Sequence, residues 1–301
     1  MSKAITYSLF GFDRAKHPDC FDFHSLLRGL MICLRFNRMV YPEFQTILQI
    51  DHASYNGYPD LFKQLTDRNI LRIEKNPNGA QLCEAMLWRL KPVYWRDAFG
   101  KWEFTHVLCR DLDSPSVYRE AQAVQAWINN DRSMHAITDS VSHDVALMGG
   151  MIGVRPESFT GKTNTNSFHE LMSLNKIDLS NKGSDQVFLN EKIYPCVGQK
   201  GNESITQHYF KGRGNSWLHD FHTCSCWLDT PALGHKDNCP ENIPLSIPIE
   251  LKDTDECVQH IGSSGWNGPK TDAWMHKYKD RFEDLLTIEK QYPKIFLWAN
   301  G

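Results

Sequence analysis

Two spacings of apolar residues alternate along the first 110 residues. Short apolar runs have the length and composition of buried β-strands, and apolar residues recur every three or four positions between them, which is helical spacing. The alternation predicts βαβ units, and therefore an α/β fold with a mostly parallel sheet flanked by helices. The predicted strands cover residues 5–10, 46–50, 70–73 and 104–109, and the predicted helices run from residue 23 and over residues 60–68 and 80–90.

The same spacings continue more weakly through the second half of the chain. They predict strand-like segments at 134–137 and 145–154. Helices are predicted over residues 115–129, 168–175 and 185–193. After about residue 200 the periodicity weakens, and the segment 211–270 is rich in Gly, Pro, Cys, His and Trp. We therefore expect a core at residues 1–200 and an irregular C-terminal elaboration at residues 201–301, packed on the same domain.

Composition and charge narrow the class of protein. Hydrophobic residues make up 41% and charged residues 23% of the chain, which is typical of a folded globular protein. The net charge of −3 provides no basic surplus for nucleic acid. No apolar run approaches the ~20 residues of a membrane span, and the N-terminus turns polar too early for a signal peptide. We expect a cytoplasmic protein whose nine cysteines are mostly thiols.

The strongest chemical feature is an acidic pair that directly follows a predicted strand. Asp111 and Asp113 would meet at one point if the chain turns there, and such hard oxygen ligands suit Mn²⁺ or Mg²⁺. An ion held by two carboxylates keeps open positions for a diphosphate. The alternative is a capping pair for the next helix, since Ser114 and Pro115 follow. Gly11 and Asp51 also end predicted strands, where ligands of α/β sheets bind.

Several motifs, taken in order, resemble those of nucleotide-sugar glycosyltransferases of the GT-A fold. The resemblance covers about residues 4–200 and extends to bacterial and viral glycosyltransferase-like proteins, and more distantly to glycogenin and lipopolysaccharide galactosyltransferases. The matching motifs are Ser8-Leu9-Phe10-Gly11, Met86-Leu87-Trp88-Arg89, Arg110-Asp111-Leu112-Asp113-Ser114, Gly149-Gly150-Met151-Ile152-Gly153 and Ser184-Asp185-Gln186.

The resemblance implies roles for these residues. Asp111 and Asp113 would hold the metal, with Asp111 also at the ribose-diphosphate, while Asp185 and Gln186 would face the donor sugar as catalytic residues. The alternative for Asp185 is an acid favoured by a helix N-terminus. Donor-binding positions are expected at Ser8, Phe10, Gly11, Asp51, Arg89, Arg110, Gly149 and Gly150.

Physical reasons accompany some of these roles. Gly149 and Gly150 would let the backbone approach the donor, and a β-bulge or a tight strand crossing is the alternative. Arg89 and Arg110 are candidate diphosphate clamps, and a surface or intrahelical ion pair is an equally good interpretation of Arg89.

A late histidine would complete the metal site by the same resemblance. His260 is preferred because His260-Ile261-Gly262 with Lys270 downstream looks like the late family motif, although Pro269 departs from it. His219 is the alternative. A Cys/His-rich segment at residues 219–239 raises the possibility of structural zinc, but its spacing matches no standard zinc pattern, which favours ordinary thiols and surface histidines.

The expected function is metal-dependent transfer of a sugar from a nucleotide-diphosphate sugar, UDP-linked by analogy, to a hydroxyl acceptor such as a glycan. The Asp185-Gln186 pair tilts this expectation toward retention of configuration. One alternative is a non-catalytic relative that binds nucleotide sugars or glycans. Another is a magnesium-dependent phosphohydrolase of the haloacid-dehalogenase type, which is disfavoured because Asp111 follows several predicted strands instead of the first.

Overall fold

A seven-stranded sheet forms the centre of the molecule. The computed structural model describes residues 2–12, 22–138, 145–174, 176–198, 204–209 and 275–300. The strand order is β3-β2-β1-β4-β6-β5-β7. All neighbours are parallel except β6, which is antiparallel to both β4 and β5. The strands are β1 (Ser2–Leu9), β2 (Phe44–Asp51), β3 (Arg72–Asn76), β4 (Phe104–Arg110), β5 (Met134–Thr138), β6 (Met151–Val154) and β7 (Ile205–Tyr209).

Helices cover both faces of this sheet, so the predicted α/β class with a mostly parallel, helix-flanked sheet is confirmed. The α-helices are α1 (Phe23–Val40), α2 (His52–Gly57), α3 (Pro59–Asp67), α4 (Leu82–Leu87), α5 (Tyr118–Ile128), α6 (Pro156–Thr163), α7 (Phe168–Ser173), α8 (Ser184–Phe188), α9 (Tyr194–Val197) and α10 (Glu283–Glu289). Shorter turns are 3₁₀ segments at Trp88–Tyr94, Lys279–Phe282 and Leu297–Asn300, and a π segment at Leu189–Ile193. No helix among the described residues has both the length and the apolar character needed to cross a membrane.

The core divides into two hydrophobic layers, one on each face of the sheet. Side chains of a strand alternate between faces, so Ile5, Tyr7 and Leu9 of β1 pack into one layer and Ala4 into the other. The first layer contains α1, α3 and α10, and the second contains α4 and the segments from α6 to α9. The parallel strands β1 and β4 both end at the same edge of the sheet, between the two layers.

Several predicted elements have different bounds in the structure, and three of them have an identifiable difference. The third strand lies at Arg72–Asn76 instead of residues 70–73. The helix predicted over residues 80–90 ends at Leu87 and continues as a 3₁₀ segment through Pro92, which cannot donate an α-helical hydrogen bond. The strand-like segment 145–154 contains β6 only from Met151, because Gly149 and Gly150 form a turn.

The sheet also draws on residues beyond the expected core. Strand β7 lies past residue 200 and pairs with β5, and α10 packs in the same layer as α1. The boundary at residue 200 itself stays a prediction. The described cysteines Cys33, Cys83, Cys109 and Cys196 are free thiols.

A buried ion pair links α10 to α1. Both Nη atoms of Arg35 donate to the carboxylate of Glu289, at 2.6 and 2.7 Å, and both side chains are fully buried. Trp298 Nε1 donates to the same carboxylate at 3.1 Å. One turn further along α1, Arg38 binds Asp284 in the same two-fold manner, but there both side chains are at least one-third exposed.

We expect Glu289→Ala to destabilise the fold by about 3–5 kcal/mol, because it leaves the buried guanidinium of Arg35 without its counter-ion. The matched control is Asp284→Ala, which breaks a partly exposed pair and costs about 1 kcal/mol or less. Urea denaturation of both variants measures the difference. Equal destabilisation by the two substitutions would contradict the structural role of the Arg35–Glu289 pair.

A second buried polar group lies between β5 and β7. His135 Nε2 and His208 Nδ1 lie 2.9 Å apart, and both imidazoles are fully buried. Trp127 stacks on His135 with ring centroids 5.6 Å apart. Burial lowers the pKa of His208 to about 3, and burial together with His208 and Arg110 lowers the pKa of His135 well below its usual value.

These depressed pKa values make the fold acid-sensitive. The folded state binds fewer protons than the unfolded chain, whose histidines titrate near pH 6.5, so stability is present above that pH and is lost progressively toward pH 3. At pH 5 one such histidine removes about 2 kcal/mol. We expect His208→Gln to flatten the stability profile between pH 7 and pH 4, whereas the surface variant His24→Gln leaves it unchanged; denaturation curves across this range measure both slopes.

Candidate active site

The acidic pair lies where β4 ends, at the carboxyl edge of the sheet. Ser114 N donates to Asp111 O at 3.3 Å, so the chain turns over Asp111, Leu112 and Asp113. Helix α1 passes directly over this turn, because Gly29 has no side chain there: a Cβ at Gly29 would lie 2.1 Å from Leu112 O. The turn that carries both carboxylates therefore lies next to α1, which packs tightly against it at Gly29.

Arg89 joins this turn to a second acidic residue. Its Nη1 donates to Asp111 Oδ1, and its Nη2 lies 3.8 Å from Asp185 Oδ2. The 3₁₀ segment after α4 holds the guanidinium, whose Nε donates to Met86 O at 2.7 Å, and only 3% of the side chain is exposed. Burial alone would lower the pKa of Arg89, but Asp111 and Asp185 outweigh it and raise the pKa, so the guanidinium stays charged. Arg89 thus forms a buried ion pair between separate segments, which is neither the surface nor the intrahelical pair considered as its alternative.

Asp185 lies in the first turn of α8, and only 3% of its side chain is exposed. Burial raises its pKa, while Arg89 counteracts that shift. The helix begins after Gly183, which has a positive φ of 88°. Gln186 is the next residue and is half-buried, but it is not among the residues that line the cleft described below.

The glycine pair makes room for these carboxylates. A Cβ at Gly150 would lie 1.8 Å from Asp111 Oδ2, and a Cβ at Gly149 would lie 3.1 Å from Asp185 Oδ2 and 3.2 Å from Arg89 Nη2. The structure shows a close approach of these glycines to the protein's own charged side chains. Their predicted approach to a donor stays a prediction.

A cleft of about 140 Å³ opens at this point and combines charged and apolar side chains. Ser8 Oγ is buried there with no hydrogen-bond partner among the described residues, so it is available to a ligand. Lys182, which no sequence motif indicated, adds a cationic side chain. The lining residues are Ser8, Phe10, Leu26, Leu82, Met86, Arg89, Asp111, Leu112, Asp113 and Lys182.

Asp113 is electrostatically unusual. Burial and the neighbouring charge of Asp111 raise its pKa to about 6, although Arg89 and Lys182 oppose the shift. A second carboxylate close to Asp111 is unfavourable until a cation joins them, and a pair of carboxylates is the donor set that Mg²⁺ or Mn²⁺ prefers. The two residues therefore fit a divalent cation.

The structure does not test a third ligand. Among the described residues there is no group of three or more His, Cys, Asp and Glu side chains placed to hold a metal. His260, His219 and the Cys/His-rich segment 219–239 lie outside the described residues. Their assignment to a metal site stays a prediction.

Two predicted donor-binding residues have other partners in the structure. Arg110 is 1% exposed and its Nε donates to Glu120 Oε1 at 2.7 Å, so it serves a buried ion pair and does not line the cleft. Asp51 accepts from Ser54 N at 2.6 Å and caps α2. Gly11 has a φ of 90° and turns the chain at the end of β1, next to Phe10.

Comparisons with known proteins indicate similarity of fold only. No family model and no curated protein matches the sequence. Among solved structures, the chain is similar to the glycosyltransferase GlyE of Streptococcus pneumoniae (9% identity, TM-score 0.43), covering 69% of this chain and 45% of GlyE. The chain thus spans less than half the length of GlyE.

Two further structures are similar at the same level. Mouse xyloside xylosyltransferase 1 has 11% identity and a TM-score of 0.34, with 63% of this chain and 81% of that chain covered. A cytidylyltransferase from Leptospira borgpetersenii has 12% identity and a TM-score of 0.38, with 100% and 98% covered. At these identities and TM-scores, the similarity says nothing about the activity of this chain.

The fit of Gly150 against Asp111 can be tested directly. We expect Gly150→Ala to push the carboxylate of Asp111 off Arg89 and to cost about 1–3 kcal/mol through overpacking. Gly161→Ala on α6 is the matched control, since its Cβ would meet nothing within 4 Å, and it is expected to be neutral or slightly stabilising. Thermal denaturation compares them; a neutral Gly150→Ala would contradict the close approach.

Proposed function

We propose that this protein is a metal-dependent glycosyltransferase. It transfers a sugar from a nucleotide-diphosphate sugar, with UDP as the expected nucleotide, to the hydroxyl of an acceptor such as a glycan. The supporting observation is the cleft at the carboxyl ends of β1 and β4, where Asp111 and Asp113 lie beside Arg89, Lys182 and the hydroxyl of Ser8, which has no hydrogen-bond partner in the described part of the chain. Carboxylates for a cation and donors for phosphate oxygens are thereby combined in one site.

Each side chain has a role in this proposal. Asp111 and Asp113 would hold Mn²⁺ or Mg²⁺, and the bound ion would supply positive charge that offsets the negative charge of a diphosphate leaving group. Lys182 and Ser8 donate to the phosphate oxygens and position the leaving group. Phe10, Leu82 and Met86 provide the apolar wall of the cleft.

Arg89 and Asp185 complete the site. Burial raises the pKa of Asp185, and the nearby guanidinium of Arg89 opposes that rise. In its ionised form Asp185 would place a negative charge behind the glycine turn, where positive charge develops at the anomeric carbon. Such preorganised charge favours the oxocarbenium-like transition state. Gln186 is proposed as a further donor-sugar contact, and the stereochemical outcome expected from the Asp185-Gln186 pair is retention.

The decisive test is the substitution Asp113→Asn, which keeps the shape of the side chain and removes its charge. We expect nucleotide-diphosphate binding in the presence of Mn²⁺ to weaken at least about 100-fold, because one of two carboxylate ligands is lost. A thermal-shift panel of nucleotides and nucleotide sugars, with Mn²⁺, with Mg²⁺ and with chelator, measures it. Asp131→Asn, at a fully exposed carboxylate, is the matched control.

An assay of donor turnover, run beside the thermal-shift panel, separates the alternatives. Release of nucleotide diphosphate from a sugar donor by the wild type, lost in Asp113→Asn, supports the transferase. Metal-dependent donor binding without any turnover would instead identify a binding-only relative. Full metal-dependent binding and turnover in Asp113→Asn would overturn the assignment of the metal site.

A further inference from the structure

A second, larger cavity lies at the opposite edge of the sheet. Its volume is about 430 Å³, within the range of about 300–1,000 Å³ of small-molecule sites. It opens where β2 and β3 begin, so it is formed by the amino ends of the strands, whereas the proposed donor cleft lies at the carboxyl ends. Nothing in the proposed transferase mechanism uses this cavity.

The floor of the cavity contains buried polar side chains. Asn37 is 2% exposed and Thr46 is 7% exposed, and both line the cavity. Asn37 Nδ2 donates to Thr46 Oγ1 at 3.3 Å, and Asn37 Oδ1 accepts from Tyr7 at 3.1 Å. Because Thr46 Oγ1 accepts in this pair, its own hydroxyl hydrogen can be donated to a ligand.

Amides and apolar surface surround that floor. The exposed side chains of Gln45 and Asn69 stand at the rim, and each carries both a donor and an acceptor. Tyr41 and Phe44 lie beside them with ring centroids 5.0 Å apart. The cavity therefore alternates hydrogen-bonding groups with apolar surface.

The charges at the rim are already balanced. Both Nη atoms of Arg38 bind the carboxylate of Asp284, at 2.9 and 2.8 Å. Arg72 pairs with Glu103 and stacks over the Trp95 ring at 4.2 Å. Among the described residues, no carboxylate lines the cavity. The guanidiniums of Arg38 and Arg72 already have carboxylate partners, which weakens their attraction for an anion, so the cavity favours a neutral ligand.

We propose that this cavity is a binding site for a neutral carbohydrate, separate from the donor cleft. A sugar ring carries hydroxyls that both donate and accept around its edge and an apolar C–H face, which matches amides and a threonine hydroxyl set beside aromatic and aliphatic side chains. The proposal does not depend on the metal or on transferase activity. It gives the protein a place to hold a saccharide away from the reacting centre.

The test uses the full chain and saturation-transfer NMR with glucose, galactose, N-acetylglucosamine, cellobiose and lactose as probes. Two variants remove rim amides: Gln45→Ala, and Asn69→Gly, which suits the positive φ of 54° at that position. For any of these saccharides that binds the wild type, each variant is expected to weaken binding about fivefold, which is the effect of one lost hydrogen bond. Thr46→Val removes the floor hydroxyl while keeping the side-chain shape.

Controls separate this site from the donor cleft. Gln125→Ala removes an exposed amide on α5, outside the cavity lining, and is expected to change nothing. Asp113→Asn is likewise expected to leave saccharide binding intact, even where it abolishes nucleotide binding. The proposal is overturned if no saccharide binds at tens of millimolar, if binding follows Asp113→Asn instead of the rim variants, or if uridine and adenosine compete for the cavity.

Discussion

One buried guanidinium organises the carboxyl edge of the sheet. Asp111, Asp113 and Asp185 come from two distant parts of the chain, and their negative charges would repel at this degree of burial. Arg89 contacts Asp111 and lies 3.8 Å from Asp185, so it compensates both at once. The geometry of the cleft depends on the guanidinium of Arg89. The 3₁₀ segment that carries it and the glycines that leave space around it are parts of the same arrangement.

Much of the fold and part of the site follow from the sequence because periodicity reports burial. The alternation of apolar runs and helical spacing predicted the α/β class, and Asp111, Asp113, Arg89, Ser8 and Phe10 all line one cleft as the motif order indicated. The antiparallel strand β6 was not predictable in this way. Its pairing depends on the turn at Gly149-Gly150, which a run of apolar residues does not distinguish from a longer strand.

The site residues that escaped prediction did so for identifiable reasons. Arg110 adjoins Asp111, but it is the last residue of β4, and its buried side chain pairs with Glu120. Asp51 ends a strand, yet a helix begins at once and uses its carboxylate as a cap. Lys182 lies in a stretch without periodicity, and only the three-dimensional path of the chain brings it to Asp113.

The balance of charge differs between the two edges of the sheet, and this difference bears on function. At the amino edge, the guanidiniums of Arg38 and Arg72 are each matched by a carboxylate, and the cavity there is left neutral. At the carboxyl edge, three carboxylates face Arg89 and Lys182, and the pKa of Asp113 rises to about 6. An unbalanced acidic group weakens a fold unless a cation stabilises it. The excess of acidic side chains thus lies at the carboxyl edge, where the proposed divalent cation would offset it.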